Sequence, residues 1–259
     1  MKSTIRDIVS CIPGLRYWVA RWIFFRPENR HNVFRFLGVF RTRAEAVARI
    51  PASWNIGADD PVPENYDPAI PERDAPVVRI FADLAPKVKT VFDLGGSVGM
   101  GFYRYRTKIA YPPDLRWTVC DFPRVIEVGR RMARERGETQ LFFTDKQEEG
   151  SGTDVYLTCG ALQFFDESFA EMLGKLKELP RHILVNRVPL TEREAFYTLQ
   201  HTTGNSILPY NIRNVQEFTS GVEALGYKLV ELWKVDRSCD ILLRPDYFVK
   251  NYYGAYFTR

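Results

Sequence analysis

Asp93, Gly95, Gly96, Ser97 and Gly99 crowd into one short stretch, Val91-Phe92-Asp93-Leu94-Gly95-Gly96-Ser97-Val98-Gly99. A short apolar run, an acid and then small residues describe a turn from a strand into a helix. Small residues permit backbone conformations and close ligand approach that a side chain would block. The helix that follows opens with N–H groups that lack intrahelical partners. A pyrophosphate would use such a turn through G-x-G-x-x-G. Gly96, Val98 and Gly101 do not supply that register, which argues against a nicotinamide oxidoreductase. A carboxylate at the strand end is awkward beside a pyrophosphate. It suits an ammonium group, or a water network around one.

A second carboxylate follows in Trp117-Thr118-Val119-Cys120-Asp121-Phe122-Pro123. Asp121 lies 28 residues after Asp93, against about 20 for a ribose-binding acid in a dinucleotide fold. A carboxylate can accept both ribose hydroxyls. Asp121 could instead cap the next helix, although Pro123 makes it an imperfect cap. Phe122 extends this edge. Asp145, after the next apolar run, could meet an adenine amino group or simply be a solvated loop acid.

The elements that must position these residues alternate. Thr90 to Leu94, Arg116 to Cys120, Leu141 to Thr144, Asp154 to Thr158, His182 to Asn186 and Tyr227 to Val235 read as strands. Val77 to Leu84, Gly99 to Ile109, Val125 to Arg136, Ser168 to Glu178 and Val215 to Leu225 read as helices. Short apolar strands separated by helices predict a doubly wound α/β domain, its mostly parallel sheet covered on both faces. Ligands then bind at the carboxyl ends of the strands. Residues 51 to 76 are rich in proline and read as an extended connection. The expected division is residues 1–75, a basic and aromatic helical extension with this connection, and residues 76–259, the ligand-binding domain.

Asp93, Gly95, Ser97 and Gly99 also fit acidic-x-Gly-x-small-x-Gly, the turn of class I S-adenosylmethionine-dependent methyltransferases. DLGGSVG, CDFPRVIEVGRR and DVYLTCGALQFFDE resemble the corresponding segments of the small-molecule O-methyltransferases. FLGVFRTRAEA, LTCGALQFFD, ILVNRVPL, PYNIRNVQEF and ALGYKLVELW add a closer resemblance, to a family of bacterial methyltransferases often encoded near cell-surface polysaccharide genes. The resemblance covers roughly residues 36 to 259. It implies a Rossmann-like, seven-stranded sheet and S-adenosylmethionine as cofactor. It implies a cofactor edge of Asp93, Gly95, Gly96, Ser97, Gly99, Asp121, Phe122, Asp145, Cys159 and Gly160. It also implies methyl transfer to a small-molecule or glycan acceptor, an oxygen of a saccharide or lipid-linked saccharide.

O-methyltransferases of this kind place a histidine shortly after the fourth strand, where this chain carries Gln163. An amide cannot take up a proton at neutral pH. Of the three histidines, His182 opens a strand and His31 lies in the basic N-terminal region. His201 lies in the polar stretch from Asn186 to Arg213, which reads as an acceptor-binding segment, and is the expected base. Asp166 is the next candidate, although with Glu167 it could simply open a helix. The alternative to an enzyme is a non-catalytic protein that binds S-adenosylmethionine as a regulatory or partner subunit. No metal is expected, since the acids show no compact ligand spacing. The oligomeric state is left open.

Residues 1–50 hold ten Lys and Arg against three Asp and Glu, and the remainder hold 26 against 29. This basic segment is also aromatic, with Tyr17, Trp18, Trp22, Phe24, Phe25, Phe34, Phe36 and Phe40. Leu15, Trp18, Val19, Trp22 and Ile23 follow helical spacing. Such a helix suits peripheral contact with an anionic membrane through residues 1–45, or else packs on the body of the protein with its arginines in water. A nucleic-acid partner is not expected, because the body is slightly acidic. Cys11, Cys120, Cys159 and Cys239 are widely spaced, so a cytoplasmic protein, with the option of peripheral membrane contact, is the expectation.

Overall fold

The structure is a computed structural model and describes residues 13–26, 35–57, 62–63, 67–202 and 206–259. The elements run α1 (Pro13–Phe24), β1 (Phe36–Phe40), α2 (Arg43–Val47), β2 (Asn55–Ile56), α3 (Ala75–Leu84), β3 (Thr90–Leu94) and α4 (Met100–Tyr105). They continue with β4 (Arg116–Cys120), α5 (Pro123–Glu135), β5 (Leu141–Thr144), β6 (Val155–Cys159), α6 (Phe169–Gly174) and β7 (His182–Thr191). Last come β8 (Phe196–His201), β9 (Ser206–Asn214), α7 (Val215–Glu223), β10 (Lys228–Val235) and β11 (Tyr252–Thr258).

Seven strands form the expected central sheet, in the order β5-β4-β3-β6-β7-β11-β10. The ladder is parallel from β5 to β7, and β11 is antiparallel to both its neighbours. Side chains alternate across it, as the period of two requires. Val91, Val155, Leu157 and Leu184 face a cluster containing Phe81 of α3, Phe102 of α4 and Ile126 of α5. Phe92, Leu94, Tyr156, Ile183 and Val185 face Phe169 and Leu173 of α6 and Phe218 and Val222 of α7. Both faces are therefore dry, which explains the near-continuous apolar strands.

The polar stretch from Asn186 to Arg213, read from the sequence as an acceptor-binding segment, is built of strands. β7 runs on to Thr191, and β8 and β9 form an antiparallel hairpin beyond it. The two joints are the end of β7, where Leu190 and Thr191 pair with Arg213 and Asn214, and β1, which pairs with β8. Thr198, Gln200 and Asn211 are polar yet buried within this hairpin, which is why alternation did not reveal it. α4 is also shorter than predicted, ending at Tyr105, and α6 ends at Gly174. α6 starts as a reciprocal cap: the Glu171 N–H donates to Ser168 Oγ, and the Ser168 N–H donates to Glu171 Oε2.

α1 lies on the lobe built by β1 and β8. Ala20 and Phe24 are buried with Leu37, Phe40, Trp54, Leu199 and Ile207. Where β10 pairs with β11, Trp233 of β10 stands against Gly254 of β11. Any Cβ at residue 254 would overlap that indole. Gly254→Ala should therefore lower stability by about 1–3 kcal/mol through overpacking, read as a lower denaturant midpoint with unchanged slope.

Candidate functional site

The carboxyl ends of β3, β4 and β6 meet beside the middle of β7, at Asn186 and Arg187. Register fixes this: Leu94 pairs with Cys120 on one side and Thr158 on the other, and Cys159 pairs with Asn186. The residues that follow each pairing line a common edge. They are the turn from Gly95 to Gly99, then Asp121 and Phe122, then Gly160 and Ala161, and finally Arg187.

The glycine turn is shaped by left-handed residues at Gly95, Ser97 and Gly99, with φ of 72°, 56° and 92°. Its glycines are required by its own neighbours. A Cβ at Gly95 would overlap Ala161, and one at Gly96 would overlap the Asp93 carboxylate. The Gly95 N–H donates to Cys120 O at 2.8 Å, tying the turn to the end of β4. The Ser97 N–H donates to Asp121 Oδ2 at 2.9 Å, and the Phe122 N–H to Asp121 Oδ1 at 2.8 Å. Asp121 is half-buried, and burial raises its pKa against these hydrogen bonds. Each carboxylate oxygen keeps a further lone pair for a diol. Phe122 beside it is 68% exposed and offers an open ring.

Asp93 sits beneath the turn, not in front of it. It is 2% exposed and accepts from Trp117 Nε1 at 3.2 Å. Burial pushes its pKa up to about 7, against the lowering effect of that hydrogen bond. Asp93 therefore supports the turn from beneath and is covered by it. Cys159 and Gly160 lie at the end of β6 as expected. The Cys159 thiol is pushed up to about 12 by burial. Asp145 is exposed after β5.

His201 is not on this edge. It closes β8 opposite Ile207, 1% exposed, with its ring 5.6 Å from that of Phe24 and 5.2 Å from that of Trp54. Its expected role as the base on the ligand edge fails because the segment carrying it is a strand in the N-terminal lobe. His182 opens β7 at the opposite end, and His31 lies outside the described residues. Gln163 is buried, and its Nε2 donates to Gly160 O at 2.6 Å, while its Oε1 is buried without a hydrogen-bond partner. Asp166 is exposed and accepts from the Tyr197 hydroxyl. The turn that carries both is gripped by Arg213, whose Nη2 donates to the carbonyls of Leu162, Phe165 and Glu167.

Sequence reasoning missed the cluster around Asn186 and Arg187, in the middle of β7. Arg187 has φ of 60°, and its Nη2 donates to Cys159 O at 2.6 Å. Its Nε lies 3.9 Å from Asp74 Oδ1 and is buried without a hydrogen-bond partner. Asn186 joins the pair: its Nδ2 donates to Asp74 Oδ1 at 3.0 Å, and Trp233 Nε1 donates to its Oδ1 at 3.2 Å. The available signal was Asn186-Arg187, a polar pair ending the apolar run Ile183-Leu184-Val185.

No family model matches the chain, and no curated protein matches it. Among solved structures, it is similar to the 1,6-didemethyltoxoflavin N1-methyltransferase of Burkholderia thailandensis, which was crystallised with bound 1,6-didemethyltoxoflavin and S-adenosylhomocysteine. Identity is 15%, the match covers 73% of this chain and 78% of that one, and the TM-score is 0.50. It is also similar to an O-methyltransferase family protein of the same organism, at 15% identity and a TM-score of 0.48, over 72% of this chain and 55% of that one. The chain thus spans little more than half of the second protein. The first likeness, with the strand order above, shows a Rossmann-like α/β fold, the fold of that enzyme.

The position of Asp93 makes stability depend on pH. The folded chain holds this proton up to about pH 7, whereas an unfolded aspartate releases it near pH 4. Wild type should therefore lose this contribution as pH rises from about 4 to 7. The stability of Asp93→Asn relative to wild type should increase over the same window, measured by denaturant unfolding without added ligand. A difference that is flat with pH would mean that Asp93 is ionised in the fold.

Proposed function

We propose that the chain is an S-adenosylmethionine-dependent methyltransferase acting on an oxygen of a small acceptor, a saccharide or lipid-linked saccharide. The observation that carries this reading is the bridge between the glycine turn and Asp121. One backbone N–H, that of Ser97, fixes the carboxylate across two strand ends at 2.9 Å. When bound, the cofactor supplies a methyl group already activated on a sulfonium. The chain's own task is to bind, orient and exclude water. Asp121 would take the ribose diol, the exposed Phe122 ring would cover the adenine, and Arg187 of β7 would face a carboxylate. These groups suit a ligand that carries a diol, an aromatic base and a carboxylate.

No histidine among the described residues stands on this edge. Proton removal from an acceptor hydroxyl then falls to Asp166, held by Tyr197, or to water. The second reading, a protein that binds the cofactor without turnover, draws on Gln163, whose amide is buried and anchored to Gly160 O.

Asp121→Ala should weaken S-adenosylmethionine binding about ten- to a hundred-fold, through loss of a charged hydrogen-bond partner. Gly95→Val should abolish binding, because its side chain would drive the turn off Ala161. Titration calorimetry reads both. Unchanged affinity in a folded Gly95→Val protein would overturn the cofactor assignment.

Release of S-adenosylhomocysteine with a glycan or glycolipid acceptor fraction tests turnover. Asp166→Asn should lower the rate about 10²-fold with cofactor affinity unchanged if Asp166 takes the proton. Equal rates would assign that step to water. Tight binding without any release would favour the non-catalytic reading.

A further inference from the structure

The N-terminal helix carries two opposite faces. Ala20 and Phe24 are buried against the β1 and β8 lobe. Leu15, Trp18 and Trp22 are 46%, 62% and 60% exposed. Their spacing of three and four places them on one side of α1. Two large indoles in water cost free energy that the fold does not recover. Packing on the body of the protein therefore accounts for only half of this helix.

Arginines accompany the indoles. The Arg26 guanidinium lies 3.2 Å from the centroid of the Trp22 ring. Trp18, Arg21, Trp22, Phe25, Arg26 and Pro51 line an open cleft of about 380 Å³. On the other side of Trp18, Arg16, Arg49 and Arg244 border a second cleft of about 610 Å³. No described helix is long and apolar enough to cross a membrane.

We propose that the outer face of α1 docks the protein on the surface of an anionic phospholipid bilayer. The helix would lie in the interfacial plane, its indoles about 5–10 Å deep and its arginines at the phosphates. Charge complementarity selects this occupant. The ten basic residues against three acidic ones in residues 1–50 attract an anionic surface. The same excess would repel a second copy presented face to face. An RNA would need open aromatic faces for stacking, and Arg26 already covers one face of Trp22. The proposal rests on this surface alone and is independent of the cofactor assignment.

Flotation of the full chain with vesicles tests it. Phosphatidylcholine vesicles with about 30% phosphatidylglycerol should carry the protein at low salt, and pure phosphatidylcholine should not. Binding should fall as salt screens the surface. The double variant Trp18→Ser with Trp22→Ser should lower partitioning about tenfold or more. Arg26→Gln should lower it about five-fold. These side chains are exposed or half-exposed, so an unchanged unfolding midpoint serves as the folding control. Should the double variant fail that control, wild-type tryptophan emission must shift to the blue with anionic vesicles and be quenched by brominated lipid. The proposal is overturned by no flotation at low salt, by equal flotation on neutral vesicles, or by variants that float like wild type. It is equally overturned if the indoles instead support RNA binding or dimerisation while vesicles stay bare.

Discussion

A single buried carboxylate holds the site together. Asp93 lies under the glycine turn, bonded to the indole of Trp117, with Gly96 and Gly101 pressed against it. An acid in such a place is costly unless it is neutral or satisfied, and its raised pKa expresses that cost. In return it leaves room for no side chain at residue 96, so the backbone there has one available path. That path aims the Ser97 N–H at Asp121 and brings Gly95 against Ala161. The geometry of β3, β4 and β6 at the ligand edge thus follows from the environment of one residue.

The second organising feature is the length of β7. Within the central sheet it pairs with β6 as far as Asn186, and it then turns through the left-handed Arg187 and continues to Thr191. The continuation gives β9 a place to pair, and β9 carries β8 and β1 with it. The N-terminal lobe is therefore an extension of the same hydrogen-bonded network. A non-glycine residue at positive φ is unfavourable. Here the ion pair with Asp74 and the bond to Cys159 O hold it in place.

The parallel core was legible because its strands are apolar on both faces. Thr90–Leu94, Arg116–Cys120 and Leu141–Thr144 appear in the structure with the bounds that the sequence suggests. The turn and Asp121 were legible because they follow directly on those runs. The β8 and β9 hairpin was not, because Thr198, Gln200 and Asn211 interrupt its apolar pattern from inside and Pro209 sits within a strand. Losing that hairpin misplaced His201. The Arg187 cluster was hidden for a different reason: it joins Asn186 to Asp74, 112 residues earlier, and local patterns carry no signal over that separation.

The grip of Arg213 on the turn from Leu162 to Glu167 separates shape from identity. The guanidinium holds main-chain carbonyls, so the contour of this turn is imposed by β9 and does not depend on which side chains the turn displays. Phe164, Asp166 and Glu167 project outward from a backbone that other residues keep in position. Replacements there alter the chemistry offered at the rim and leave the scaffold intact. The groups displayed on such a segment can change by single substitutions without a passage through unfolded intermediates.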